Sequence, residues 1–230
     1  MLNESKFGVA ICPLECIQFP TVFFLGKYFA MKVIEKSTSR NSDVLYCVEE
    51  RRILASINFP FIVEYESHFQ TRSSVCLVME YVEGSDLYKL LMSRKRFDAD
   101  SVRFFLSQVL LCLEYLHQLD LVYRDLKLEN IIIDMTGNVK IVDLGLTRLL
   151  RGGERCGSFC GTVQYLAPEL IQGFQYDKAV DWWAFGVLAW EVRQFIVSQT
   201  YHICFHFKLL VIAIRKHYSS FFQDLHTQTV

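Results

Sequence analysis

The residues best suited to chemistry in this 230-residue chain fall in four short runs. Tyr123-Arg124-Asp125-Leu126-Lys127-Leu128-Glu129-Asn130 sets a carboxylate two residues before a lysine and five before a carboxamide. Asp143-Leu144-Gly145 offers a second carboxylate at a turn. Ala30-Met31-Lys32 precedes both, with Glu50 downstream of it, and Ala167-Pro168-Glu169 comes last. Moving a phosphoryl group needs positioning and charge neutralisation more than covalent help. These residues meet that need. Lys32, ion-paired to Glu50, can orient phosphates. Asp143 and Asn130 can offer oxygen to Mg²⁺, a hard cation. Asp125 can accept a proton from an attacking hydroxyl, and Lys127 can neutralise the phosphate in transfer.

The runs need elements to hold them. Residues 29–34 (FAMKVI) alternate and are rich in strand formers, which predicts a strand carrying Lys32. Val44, Val48, Leu54 and Ile57 predict a helix over 43–57 with one buried face. Residues 75–82 (VCLVMEYV) read as a buried strand ended by Gly84. A long helix follows, capped by Asp98 or Asp100, with Val102, Phe105, Leu106, Val109, Leu110, Leu113 and Leu116 on one face. Strands at 131–134 and 139–143 are joined by a hairpin-type turn, Met135-Thr136-Gly137-Asn138. Residues 145–164 read as a long loop. Residues 178–193 (KAVDWWAFGVLAWEVR) are apolar nearly all round, so that helix belongs at the centre.

Composition narrows the class. Lys+Arg total 24 and Asp+Glu 25, giving a net charge of -1, so nucleic acid and anionic membranes are not expected partners. Gly 11 and Pro 4 are low for a turn-dense β-sandwich. The 8 cysteines include no CxxC and no zinc-like spacing, which favours reduced thiols in a cytoplasmic setting, with the nucleus as an alternative. Residues 8–25 make a poor signal peptide because they contain Pro13, Glu15 and Pro20. Residues 195–214 are long enough to span a bilayer, but Gln199, His202, His206 and Lys208 make a span costly.

In their order, the four runs resemble the protein-kinase signature set. Residues 26–191 look like the catalytic domain of AGC-type Ser/Thr kinases, and most of all the cAMP-dependent group. The stretches carrying this are GKYFAMKVIEK (26–36), ERRILASINFPFIV (50–63), VMEYVEG (78–84), YLHQLDLVYRDLKLEN (115–130), FCGTVQYLAPE (159–169) and KAVDWWAFGVL (178–188). The resemblance implies an α+β, two-lobed fold, incomplete. Its parts are a small lobe over 26–82 and a partial large lobe over 83–193. Residues 1–25 stand in place of the glycine-rich loop, and residues 194–230 form an unmatched hydrophobic tail.

The resemblance also implies ATP and Mg²⁺, and transfer to Ser or Thr of proteins. By it, Met79 is the gatekeeper, and Glu80 and Val82 supply the hinge carbonyl and amide. Ala30 and Ile132 sandwich the adenine, Val142 lines the space behind it, and Asp86 reaches the ribose. Leu54, Tyr65, Tyr123 and Leu144 form a spine anchored by Asp181. Ser158 takes the activating phosphate, which Arg124 and Arg148 pair with. Thr162 hydrogen-bonds toward Asp125 and Lys127. Asp86, Glu129 and Glu191 bind arginines upstream of the target, and Phe159, Val163 and Leu166 form a pocket for the hydrophobic residue after it. The implied substrate is Arg-Arg-x-Ser/Thr-hydrophobic. Cyclic nucleotides would act through a separate regulatory, inhibitory subunit.

The sequence departs from the family in two places. Residues 1–25 contain only Gly8 of the expected glycines, and Pro13 and Pro20 are expected to disturb two paired strands. After Glu191 the resemblance stops, so Glu169 is left without its arginine partner. Leu144, Leu128 and Val163 replace Phe, Pro and Pro. Loss of resemblance at both ends predicts ends joined from other sequence, such as translated intron. Two readings of function follow: an active kinase, or a catalytically impaired kinase-like scaffold. A membrane protein using 195–214 is a third class.

Overall fold

The structure is a computed structural model and describes residues 8–10, 21–24, 26–35, 51–95 and 97–194. Five antiparallel strands form the first sheet: β1 (Gly8–Ala10), β2 (Thr21–Phe24), β3 (Lys27–Glu35), β4 (Tyr65–Gln70) and β5 (Ser74–Glu80), in the order β1-β2-β3-β5-β4. The FAMKVI run falls inside β3, as its alternation predicts. Ala30 pairs with Met79 and Lys32 with Leu77. The two-residue period therefore puts Ala30 and Lys32 on the face where Met79 and Leu77 are buried. Val33, on the other face, is exposed.

The first two strands of this sheet are paired in register. Gly8, Val9 and Ala10 pair with Phe23, Val22 and Thr21. Pro13 and Pro20, on which the expected disturbance rests, lie outside the described residues. Of the helix expected over 43–57, residues 51–54 are helical, with Ile53, Leu54 and Ile57 buried; residues 43–50 lie outside the described residues.

The remainder is mainly helical. The helices are α1 (Leu87–Arg94), α2 (Ala99–Gln118), α3 (Pro168–Ile171) and α4 (Ala179–Gln194). Asp98 rather than Asp100 caps α2, accepting from the backbone N–H groups of Asp100 and Ser101. Phe105, Val109, Leu113 and Leu116 are buried as the period predicts, while Val102, Leu106 and Leu110 are half-buried. Gln108 is a polar exception on the same helix. It is buried, and its Oε1 accepts from Val139 N at 2.7 Å.

Short strands close the frame. β6 (Gly84–Asp86), β8 (Ile131–Asp134) and β9 (Val139–Ile141) form one sheet, and β7 (Leu121–Val122) pairs with β10 (Arg148–Leu149). Ile141 N donates to Phe61 O at 2.8 Å and Val63 N to Ile141 O at 2.9 Å, tying the first sheet's connecting segment to β9. One apolar cluster runs through both parts, from Leu54, Leu77 and Met79 to Leu116, Tyr123, Leu144 and Leu188. A smaller cluster, with Val122, Leu150, Leu166, Tyr176 and Val180, lies beside it.

The α4 helix is as central as its composition demands, with no exposed side chain from Ala179 to Val192. Its one buried carboxylate, Asp181, is 1% exposed. Oδ2 accepts from Tyr123 N at 2.8 Å and lies 2.8 Å from His117 Nε2, and Oδ1 accepts from Arg124 N at 2.8 Å. Removing such an acceptor strands two buried amides. We expect Asp181→Ala to lower stability by about 3–5 kcal/mol in chemical denaturation. Arg103→Ala, which removes an exposed pair with Asp100, should change it by less than about 0.5 kcal/mol.

Candidate active site

Strand β7 delivers the chain into a loop whose shape depends on Asp181. Tyr123 and Arg124 aim consecutive N–H groups at that carboxylate, and Arg124 takes φ 70°, a left-handed conformation unfavourable for a long side chain. This turn presents Asp125. Its Oδ2 accepts from Lys127 Nζ at 2.8 Å and Asn130 Nδ2 at 3.0 Å, and its Oδ1 accepts from Thr162 Oγ1 at 2.8 Å. Lys127 Nζ also donates to Thr162 Oγ1 at 3.1 Å. The expected contact of Thr162 with both residues is therefore present. Gly161 explains how Thr162 comes so near. It has φ 101°, and a Cβ there would meet Arg124 O at 2.7 Å, so only glycine lets the two backbones touch.

Lys32 meets the second carboxylate directly, its Nζ 2.9 Å from Asp143 Oδ1. Asp143 also adopts a left-handed conformation, φ 59°, and its Oδ1 accepts from Gly145 N at 3.2 Å. Glu50, expected to pair with Lys32, lies outside the described residues. Ala30, Met79, Glu80, Val82, Ile132 and Val142 line one apolar cleft, as the resemblance implies. Val63 joins them, although no motif in the sequence marks it. Its place follows from the β9 hydrogen bond, a tertiary contact with no local signature.

Two expected site residues are also engaged in the fold itself. Asp86 is buried and caps α1: Oδ1 accepts from Lys89 N at 2.9 Å and Oδ2 lies 3.4 Å from Lys89 Nζ. Each oxygen thus has one local partner, and an ionised carboxylate keeps further acceptor positions beyond these. Leu166 is 5% exposed and packs in the smaller apolar cluster, whereas Phe159 and Val163 are 66% and 70% exposed. The apolar surface is therefore made by Phe159 and Val163, without Leu166 as an equal partner.

Glu129 is exposed and Glu191 half-buried. The Tyr165 hydroxyl donates to Glu191 Oε2 and lies 3.3 Å from Leu128 N. Burial pushes the Glu191 carboxyl above its usual range, the Tyr165 bond opposes this, and the Glu129 charge adds to it. Leu54, Tyr123 and Leu144 are essentially inaccessible, and Tyr65 is partly buried against the same apolar cluster. Glu169 is half-buried rather than buried, so its full burial penalty does not arise.

Ser158 Oγ accepts from Arg124 at 2.8 Å, one of the two arginine contacts expected. Arg148 instead donates to Cys156 Sγ, at 3.3 Å. Tyr176 completes this group by donating to Ser158 O at 2.7 Å. Nothing in the sequence marks Cys156, Tyr165 or Tyr176 as functional, since a lone tyrosine or cysteine in a loop carries no spacing signal.

The residues present fit a magnesium nucleotide. Asn130 uses its N–H group on Asp125, which leaves its carbonyl oxygen for a cation, and both bonds to Asp143 use Oδ1, which leaves Oδ2. Two protein oxygens suit Mg²⁺, which keeps water and phosphate oxygens in the rest of its shell.

Known proteins resemble this chain in sequence. Residues 24–212 match the family model described as protein kinase domain, so the match continues into the tail that carries none of the four motifs. The chain is 41% identical to the RAC-beta serine/threonine-protein kinase of Rattus norvegicus over 194 residues, covering 84% of this chain and 39% of that protein. It is 43% identical to the serine/threonine protein kinase ypkA of Aspergillus fumigatus over 73% of this chain and 26% of the relative. It is 40% identical to cAMP-dependent protein kinase type 3 of Saccharomyces cerevisiae over 73% of this chain and 42% of the relative. Identities this close single out no subtype, the cAMP-dependent one included. The chain spans less than half the length of each of these relatives. By its family match and these relatives, the chain belongs to the protein kinase domain family, with the AGC-type Ser/Thr kinases as its kin.

Proposed function

We propose that this chain transfers the γ-phosphoryl group of ATP to Ser or Thr hydroxyls in proteins. The carrying observation is the Asp125 carboxylate, held by Lys127, Asn130 and Thr162 within one hydrogen-bonded group. Asp125 accepts the proton of the substrate hydroxyl as its oxygen attacks the γ-phosphorus and the bond to the β-phosphate oxygen breaks. Lys127, already beside Asp125, neutralises charge on the group in transfer. Lys32 orients the α- and β-phosphates, and the apolar cleft under Met79 and Ala30 receives the adenine, with Glu80 and Val82 offering main-chain hydrogen bonds. Asn130 and Asp143 would hold Mg²⁺, which when bound neutralises phosphate charge.

The substrates in this reading carry arginine upstream of the target and a hydrophobic residue after it. Glu129 and Glu191 supply the negative charge, and Phe159 and Val163 the exposed apolar surface. Charge-assisted pairs of this kind give specificity as well as affinity. The setting is cytoplasmic, with a separate inhibitory subunit as a regulatory partner. A second reading, a kinase-like scaffold, rests on the β1–β2 hairpin, whose strands hold Gly8 as their only glycine.

Nucleotide binding decides between them. Mg-ATP at about 100 times its dissociation constant should stabilise the protein by roughly 2.7 kcal/mol, and Lys32→Met and Asp143→Ala should abolish the shift. No shift at any ATP level in the unmutated protein would favour the scaffold. Asp125→Asn should reduce kcat by about 10²–10⁴ while the thermal shift persists. In peptide assays, Glu129→Gln with Glu191→Gln should raise KM for Arg-containing substrates and leave KM for ATP unchanged. Glu191 also has a pH signature. Its folded pKa is raised, so its stability contribution is present below the ordinary value of 4.5 and is lost as pH rises through the folded value. Glu191→Gln should flatten that decline in melting temperature.

A further inference from the structure

The Arg124 guanidinium is a buried cation whose counter-ion is not a carboxylate. Arg124 is 9% exposed. Its Nε donates to Leu146 O at 2.5 Å, and its Nη1 donates to Ser158 Oγ at 2.8 Å, Tyr176 Oη at 3.1 Å and Cys156 Sγ at 3.4 Å. Arg148 reaches the same sulfur from β10 at 3.3 Å. Neither arginine forms a salt bridge with Asp or Glu among the described residues. A buried charge without a partner is costly, so this site calls for an anion.

We propose that Cys156 supplies that anion. Its thiolate, seated between Arg124 and Arg148, holds the activation segment against the catalytic loop before any phosphate is added to Ser158. This inference rests on the kinase reading only for its consequence, the ordering of the segment beside Asp125. Cys156 is a positioning residue in this scheme and touches neither substrate nor nucleotide.

Hydrogen-bond accounting agrees. Sγ receives two guanidinium N–H groups, which can only donate, and Ser158 Oγ is 3.1 Å away with a hydroxyl proton to give. The backbone is fixed at the same point, because Cys156 and Tyr176 exchange both main-chain hydrogen bonds at 2.8 Å. Cys156 is 1% exposed, so the sulfur is shielded from water. The titratable and charged groups around this cradle are Arg124, Arg148, Tyr176 and Cys160; its other neighbours, such as Val122, Leu150 and Val180, are apolar. Burial pushes the Cys156 thiol up, but hydrogen bonds from Ser158 and the Arg124 charge are among the effects that outweigh it and bring it down to about 7. Tyr176, pushed up to about 12 by burial and then by Cys156, keeps its proton and remains a donor. Cys76 and Cys112 are pushed the other way by burial, so neither adds a thiolate near neutrality.

A phosphate on Ser158 would enter the same cradle. Like charges oppose one another, so phosphate and thiolate compete, and each weakens the other's hold.

Ultraviolet thiolate absorbance of the folded full chain, titrated from about pH 6 to about pH 10, reads this without any kinase assay. The expected result is a one-thiol step near pH 7, absent in Cys156→Ser and moved upward in Arg148→Met and in Ser158→Asp. Melting temperature gives a second reading. The depressed pKa stabilises the fold fully above the ordinary thiol value of 9.0, and the stabilisation is lost as pH falls through about 7. Cys156→Asp should therefore hold its melting temperature below pH 7, where the unmutated protein loses stability. Should Cys156→Ser fail to fold, the unmutated protein against Arg148→Met still decides. A step no lower than about pH 8.5, or one unmoved by Arg148→Met, would overturn the proposal and leave the reading of Asp125 and Lys32 untouched.

Discussion

One buried carboxylate, Asp181, sets the shape from which the rest of the site is built. It lies in the first turn of a helix that is otherwise apolar as far as Trp190, and it receives the backbone N–H groups of two consecutive residues of another segment. A loop does not normally aim two successive amides at one point. Doing so forces Arg124 into the left-handed region, and that twist carries Asp125 out on one side and the Arg124 guanidinium into the smaller core on the other. Hydrophobic burial makes the helix central, but it cannot choose a loop conformation. A charge in a low-dielectric surrounding can, because leaving those amides unmet would cost more than the strained dihedral.

Around that turn, charge is balanced pair by pair. Lys127 neutralises Asp125, Lys32 neutralises Asp143, and Lys140 meets Glu80 at 2.8 Å beside the apolar cleft. The Lys32–Asp143 pair is the link between the strand sheet and the loop after β9, so the two halves of the site are brought together by opposite charges as well as by the shared apolar core. Each of these pairs is partly open to solvent. They can be remade when phosphate charge enters, which a fully buried pair could do only at a large desolvation penalty.

Much of this architecture is legible in the residues alone. Strand β3, helix α2 with a cap at Asp98 or Asp100, the strands expected at 131–134 and 139–143 with their turn, and helix α4 all follow from period, capping and composition, and the structure selects Asp98 and ends the last strand at Ile141. The octet from Tyr123 to Asn130 marks the catalytic loop because its spacing is local: the loop closes within eight residues, and Asn130 reaches back to Asp125 across it. Less legible are the parts that depend on partners far along the chain. Asp86 caps α1, a structural task that its place in the motif does not announce. Val63 and Tyr176 enter their sites through single tertiary hydrogen bonds.

Residue type and short-range spacing were enough to specify the family, the order of the elements and which side chains the proposed transfer would call on, because those features are carried by local sequence. Which side chains pair with which was settled by the folded chain. Folding put Arg148 on Cys156 rather than Ser158, buried Leu166 while exposing Phe159 and Val163, and brought Thr162 to Asp125 over a glycine. The reason is geometric. Bonds between groups dozens of residues apart depend on where two backbones pass, and that path is chosen by burial of the core as a whole, not by any segment read alone.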